Sequence, residues 1–298
     1  MPSLTPLTSR EHDRTGYNDR DFVNVLNQLR DVAKSLESGV AFKIGAWLQT
    51  QLDVFPAPLH ILSIFAGGAN SEMGLAMLDS VARLTVSDAS QAAVESVQEA
   101  LETHGDAGGR SQSLRSKVDY AVMDFPLAPE AVLPNTYDMI TCLGVSFFHL
   151  PTSAARLATL RQIYRMLKPG GALLLDNKNW NGGLEEERDP MTVYALPDNR
   201  LLLASYEYPR PGTQLYHLQL MQVQGENTDG IARSYATEKR WVLTGYPVHS
   251  RTLVEEMDAA GFIDCRIHDK DTWPTAPGNG KAAYYHLLIA HKSKTETR

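Results

Sequence analysis

Apolar positions recur with two different periods along this chain, and the change of period divides it. Phe22, Val25, Leu26, Leu29, Val32, Ala33 and Leu36 fall three or four apart, which predicts one amphipathic helix. Ala41–Leu52 reads as a second helix, stopped by Pro56 and Pro58. Short apolar runs then alternate with helical segments. Strands are predicted at Leu59–Phe65, Leu84–Val86 (ending at Asp88), Val118–Met123, Tyr137–Leu143 and Ala172–Leu175. Helices are predicted at Ser71–Ala82, at Ser90–His104 and between the last two strands, where a Leu-Lys-Pro-Gly-Gly break ends the helix. Such alternation over Leu59–Asp176 predicts a doubly wound parallel sheet whose strand ends face a ligand crevice.

Beyond Asp176 the pattern shifts to Leu-, Tyr-, Val- and Gln-rich segments. Leu201–Tyr208, Gln214–Gln224 and Ala232–Leu243, separated by turns at Pro209–Thr213 and Gly225–Gly230, read as three antiparallel strands joined as hairpins. Ser250–Ala260 returns to helix, ended by Gly261, and strands follow around Ile263–Ile267 and Ala283–Ala290. The predicted class is α/β: a Rossmann-like doubly wound sheet with an N-terminal helical cap and an antiparallel hairpin insert. Its expected divisions are an arm and cap over 1–58, a core over 59–180 and 250–291, and the insert over 181–249. Met1–Asp19 lacks periodicity and reads as a mobile arm, and Lys292–Arg298 as a frayed charged tail.

Composition narrows the function. The 298 residues are 43% hydrophobic and 21% charged, which suits a soluble globular protein. A net charge of -7 argues against a partner bound through its phosphate backbone, so no nucleic acid is expected. No apolar run reaches the roughly 18–20 residues that span a bilayer, and the opening residues are polar, so neither membrane nor signal segment is expected. Cys142 and Cys265 lie in apolar runs and read as small buried hydrophobes of a reducing, cytoplasmic compartment. The nine histidines are scattered without HExxH or a Cys pair, so no metal is expected. Neither GxxxxGK[ST] nor GxSxG occurs, and Glu185-Glu186-Glu187 reads as a solvated face or hinge.

Candidate chemistry gathers at the predicted strand ends. Ala66-Gly67-Gly68-Ala69-Asn70 follows the first strand, where glycines let backbone approach a ligand and the next helix offers N–H groups. It is not GxGxxG, and a plain βα turn is the competing reading. Asp88, about 20 residues beyond the glycines, suits a ribose; in Ser87-Asp88-Ala89-Ser90 the competing reading is a helix cap, made by either Asp88 or Ser90. Asp124-Phe125 pairs a carboxylate with a ring, as an adenine would need, although Phe125 also reads as core. Leu143-Gly144-Val145-Ser146 closes the fourth strand. His149 follows, either a proton carrier near neutral pH or a residue that orients its loop.

At these residues the chain resembles the class I S-adenosylmethionine-dependent methyltransferases, and within them the glycine and glycine/sarcosine N-methyltransferase group. The resemblance rests on Ser63–Ala69 after strand one, Asp88 in Val-Ser-Asp-Ala-Ser, Asp124-Phe125, Ile-Thr-Cys-Leu-Gly-Val-Ser-Phe-Phe-His-Leu over 140–150, Asp176–Trp180 and Tyr246-Pro247. It covers roughly Phe42–Ala290 and is strongest over Tyr137–Trp180. It implies S-adenosylmethionine as cofactor, held by Ala66, Gly67, Gly68, Asp88, Ala89, Asp124, Phe125, Leu143 and Gly144. It implies a small-molecule substrate facing Val145, Lys178, Trp180, Tyr206 and Tyr208, with His149 and Tyr246 as catalytic residues. Related enzymes pair or form tetramers, which leaves room for a homo-oligomer.

The departures carry information. Ser63 stands where the family pattern has an acid, Ala69 where it has glycine, Val145 where it has asparagine and Lys178 where it has arginine. An Arg fork grips a carboxylate in two places and Lys does not, so glycine itself is not the expected acceptor. A larger, less polar acceptor suits Val145 and the nearby aromatics, methylated at nitrogen, oxygen or carbon as in natural-product biosynthesis. The competing readings are a cofactor-binding scaffold without methyl transfer (a cyclase, a rearrangement catalyst or a regulatory partner), a nicotinamide-dependent dehydrogenase and a nucleic-acid methyltransferase.

Overall fold

A computed structural model describes residues 15–32, 43–48, 50, 55, 58–67, 70–105, 116–127, 129–180, 191–224, 234–269, 273 and 285–294. Helices α1 (Thr15–Asn18), α2 (Arg20–Val32) and α3 (43–48) precede the sheet. The core then runs β1 (Leu59–Ser63), α4 (Asn70–Ala76), β2 (Val81–Asp88), α5 (Gln91–Gly105), β3 (Val118–Val122), β4 (Tyr137–Cys142), α6 (Ser153–Met166) and β5 (Leu167–Lys178). The insert supplies β6 (Thr192–Leu196), β7 (Arg200–Arg210), β8 (Thr213–Gln224) and β9 (Ser234–Gly245). The chain closes through α7 (Ser250–Ala259), β10 (Ile263–Asp269) and β11 (Tyr285–His291).

The core strands form one seven-stranded sheet in the order β10-β11-β5-β4-β1-β2-β3. β1 to β5 are parallel and β11 runs antiparallel between β5 and β10. Strand order reverses between β1 and β4, and such a switch point opens a crevice beyond the carboxyl ends of the strands. Strands buried on both faces need continuous apolar runs. Ile61, Leu62, Leu84, Val86, Met139, Ile140, Leu173, Leu174 and Leu175 supply them, each with no exposed surface.

The insert is a second, four-stranded antiparallel sheet in the order β6-β7-β8-β9. One face carries Leu196, Leu202, Ala204, Leu218, Leu220, Trp241 and Leu243, packed against Phe22 and Val25 of α2. At about 25 cal/mol per Å² of apolar surface, such side chains contribute roughly 1.5–3 kcal/mol each when fully buried. Polar contacts follow the same line. Lys239 Nζ donates to both carboxylate oxygens of Asp19, and Trp241 Nε1 donates to Asp19. On its other side the α1–α2 segment reaches α5: Asn27 Nδ2 donates to Ser96, and Arg20 pairs with Glu95 and Glu99.

The structure moves several predicted boundaries. Thr15–Asp19 is docked rather than mobile, because Asp19 and Tyr17 find partners on both sheets' side of the molecule; 1–14 and 33–42 lie outside the described residues. α4 ends at Ala76, and β2 starts three residues earlier than expected because Leu59 N donates to Ser80 O and brings Val81 beside Leu59. β5 runs through the Leu-Lys-Pro-Gly-Gly segment, since Leu167 pairs with Tyr137 across a register shift. β6 was not foreseen: four of its five residues are exposed, so this edge strand has no inward stripe to betray it. Cys142 is buried, but Cys265 is only half-buried, its thiol pushed up to about 12 by burial and by Asp258. Among the described residues no helix is long and apolar enough to cross a membrane.

Candidate active site

The crevice is built from carboxylates that hold backbone turns. β1 stops at Ser63 because Phe65 takes a left-handed φ of 54°, and Gly67, at 49°, continues the sharp turn. Gly67 N donates to Asp88 Oδ2 at 3.0 Å, and Ser90 N donates to Asp88 Oδ1 at 2.8 Å. Ser90, not Asp88, caps α5: its Oγ accepts from Ala93 N at 3.2 Å. Asp88 is therefore fixed by two backbone donors at the end of β2, next to the β1 turn. Met123 N donates to Asp88 O at 2.8 Å and draws Asp124 to the same rim. Phe125 is 1% exposed and packs against Phe65 at 5.5 Å, so its ring belongs to the core, while partly exposed Phe65 lines the turn. Gly68 and Ala69 lie outside the described residues.

A second carboxylate organises the β4 end. Asp176 has no exposed surface. Its oxygens accept from Gly144 N at 3.0 Å and Val145 N at 2.6 Å. Those bonds hold Gly144 at φ 88° and Val145 at φ 59°. Asp176 also helps push the buried Cys142 thiol upward, after burial itself, which removes that sulfur from nucleophilic chemistry. Ser146 Oγ donates to Phe65 O and Leu143 O, tying the β4 turn to the β1 turn.

His149 ends a single 3-10 turn, Ser146–His149. Its Nδ1 lies 3.2 Å from the Thr244 carbonyl of β9. A carbonyl only accepts, so Nδ1 carries the hydrogen and Nε2 the lone pair. Burial lowers the imidazole's pKa, against the upward pull of that hydrogen bond. The result is a neutral base held against the insert. Beside it Tyr246 N donates to Phe148 O at 2.7 Å. A Cβ on Gly245 would meet the Phe148 ring at 1.6 Å, so only glycine lets β9 approach there.

The end of β5 brings the acceptor-side candidates together. Lys178 Nζ lies 5.0 Å from the Trp180 ring and 5.7 Å from the Tyr206 ring, both within cation–π range. Trp180 stacks on Phe148 at 6.1 Å, and its Nε1 donates to Asn177 Oδ1 at 3.4 Å. Tyr206 stacks on Tyr216 at 4.8 Å, and burial pushes the Tyr216 phenol well up, so it stays protonated. Tyr208 stands farther along β7, its hydroxyl accepting from Gln214 Nε2 at 2.8 Å. Val145, Lys178, Trp180 and Tyr206 thus share one end of the sheet with His149, while Tyr208 lies toward the β7–β8 turn.

Known proteins place this geometry. Residues 61–171 match the family described as methyltransferase domain. A solved S-adenosylmethionine-dependent methyltransferase from Clostridium acetobutylicum superposes with a TM-score of 0.66 at 12% identity, over 92% of this chain and 98% of that one. Residues 61–171 thus match a methyltransferase domain, and the fold is that of solved S-adenosylmethionine-dependent methyltransferases. An amino pentose methyltransferase from Micromonospora echinaspora, solved with S-adenosylmethionine bound, gives 0.61 at 13% identity over 89% and 97% of the two chains. Glycine/sarcosine N-methyltransferase from Aphanothece halophytica is 33% identical over 101 residues, 31% of this chain and 38% of that protein. Its counterpart from Parasynechococcus marenigrum is 28% identical over 130 residues, 40% of this chain and 44% of that protein. The chain thus spans less than half the length of these curated relatives.

Three features escaped the sequence reading. The acid missing at Ser63 is supplied from α4: Ser63 Oγ donates to Glu72 Oε1 at 2.7 Å, with both residues buried. The available signal was that Glu72 is the sole acid between Asp53 and Asp79. Asp176 serves the β4 turn, a role visible only once β5 lies beside β4. Tyr17, placed in the arm, meets His149 edge-on at 5.8 Å. Among the described residues no cluster of three His, Cys, Asp or Glu side chains suits a metal.

Proposed function

We propose that this chain transfers a methyl group from S-adenosylmethionine to a small-molecule acceptor bound between the β4 and β5 ends and the insert sheet. The observation that carries the reading is the Asp88 carboxylate, locked by Gly67 N and Ser90 N beside the switch point. A carboxylate in that place suits the two hydroxyls of a ribose. Ala66, Gly67 and Ala89 would flank the nucleoside and methionine portions, with Asp124, Leu143 and Gly144 along the base side and the buried Phe125 ring packed behind Phe65. When bound, the cofactor supplies a sulfonium methyl that is already electrophilic.

The protein's task is then alignment, exclusion of water and handling of one proton. Val145, Lys178, Trp180, Tyr206 and Tyr208 would orient the acceptor. His149, neutral and with its lone pair on Nε2, would take the proton from an amine or hydroxyl as the new bond forms. Tyr246, anchored through Phe148, would position the nucleophile. Sugar and amino-acid methyltransferases among the relatives favour nitrogen as the atom methylated. The expected setting is biosynthetic and cytoplasmic, as a homo-oligomer or a monomer, with neither nucleic acid nor membrane as partner.

Calorimetric titration with S-adenosylmethionine and S-adenosylhomocysteine tests the first half, and absence of binding to both would refute it. Asp88→Ala should lower affinity by the worth of hydrogen bonds to a charged group, about 1.5–3 kcal/mol each. A screen of amines, phenols and carboxylates for a mass gain of about 14, one methyl replacing one hydrogen, tests the second half. Cofactor binding with no methylated product from any class would favour a scaffold that catalyses a rearrangement or regulates a partner.

A further inference from the structure

The α1–α2 segment touches both halves of the crevice, and Tyr17 is where the two meet. Its backbone carbonyl accepts from Ser90 Oγ at 2.5 Å. Ser90 is also the residue whose N–H is held by Asp88, at 2.8 Å, and whose Oγ caps α5. From the same residue, the Tyr17 ring meets His149 edge-on at 5.8 Å and 81°, and Phe22 at 5.2 Å. Two residues later Asp19 is gripped by Lys239 and Trp241 of β9, the strand whose Thr244 carbonyl holds His149 Nδ1. An unbroken run of contacts therefore leads from the Asp88 carboxylate through Ser90 and Tyr17 to the imidazole.

We propose that Tyr17 is a positioning residue for His149, and that Ser90 makes its placement depend on the Asp88 turn. A ring packed edge-on removes one side of the imidazole from water and fixes its plane, while Thr244 fixes its tautomer. Among the described residues, the groups facing His149 are Tyr17 from α1, Phe148 from its own turn and the Thr244 carbonyl from β9. None of these is charged near neutral pH, so the ring's surroundings act by excluding solvent. Occupation of Asp88 by a ribose would stiffen the turn that carries Ser90, and Tyr17 would be held more firmly over His149. By reciprocity, a firmly placed Tyr17 strap tightens the cofactor. This second half rests on the crevice being the cofactor site; the first half does not.

Two readouts separate them: an NMR titration of the His149 imidazole in the full chain, and calorimetry with S-adenosylhomocysteine. Wild type should titrate below the ordinary imidazole value of about 6.5. Tyr17→Ala should move that midpoint back toward the ordinary value, whereas Tyr17→Phe, which keeps the ring, should leave it in place. Tyr17→Ala retains the backbone carbonyl, so S-adenosylhomocysteine affinity should fall by less than in Ser90→Ala. Ser90→Ala should move the His149 midpoint and also weaken S-adenosylhomocysteine by about five- to tenfold. Ser90→Thr, which restores hydroxyl and cap together, should rescue both, setting the effect apart from simple loss of a helix cap. An unmoved His149 midpoint in Tyr17→Ala overturns the positioning role, and unchanged affinity in Ser90→Ala overturns the coupling. Failure of wild type to bind S-adenosylhomocysteine would instead refute the cofactor reading, with the His149 titration still deciding the role of Tyr17.

Discussion

Val145 shows how a single position can carry both strain and specificity. Its φ of 59° is costly for a side chain branched at Cβ, and the N–H bonds of Gly144 and Val145 to Asp176 help hold the turn in place. Asparagine tolerates that backbone well, so Val145→Asn should raise stability by about 1 kcal/mol, seen as a higher urea midpoint with an unchanged slope. The same change tests the proposed acceptor site, where it should alter acceptor preference. Spacing placed Asp88 and the Leu143–Ser146 turn at strand ends, and the family resemblance singled out Val145 and Lys178. Glu72 and Tyr17 were not: one acts across a helix turn on Ser63, the other reaches His149 over 132 positions that only the fold closes. Neither carries a periodic or motif signal of its own.

Between elements, polar pairs fix angles that apolar packing leaves loose. Arg156 of α6 donates to Glu256 of α7 through Nε at 2.8 Å and Nη2 at 2.7 Å, with both residues under one tenth exposed. A buried pair costs most when only one partner is removed. Glu256→Ala should therefore destabilise by about 3–5 kcal/mol, while Arg156→Met with Glu256→Leu should come close to wild type, both checked by chemical denaturation. The alternation of apolar runs located every core strand except for its ends. Boundaries slipped where a partner strand, rather than local preference, decides them, as at Val81 and Leu167. β6 escaped because an edge strand facing water has no alternation to read.

For the whole molecule, four imidazoles among the described residues tie stability to pH. Burial lowers the pKa of His149, His60, His268 and His291, in each case as the largest cause. The unfolded chain then binds more protons than the folded one just below pH about 6.5. The stability these groups contribute is present above that value and declines as pH falls through their folded values, before the carboxylates begin to protonate. A urea midpoint measured from pH 7.5 down to 5 should fall steadily, and His149→Gln should make the slope shallower. The doubly wound sheet was legible in the chain as a whole because each parallel strand must be apolar throughout, whereas the junction of arm, core and insert depends on contacts between segments far apart in sequence. Both feet of the insert leave from the same rim: Trp180 at one end stacks on Phe148, and Tyr246 at the other is tied to its carbonyl. Changes between those two roots can reshape the antiparallel sheet while the parallel strands and the Asp88 turn keep their places.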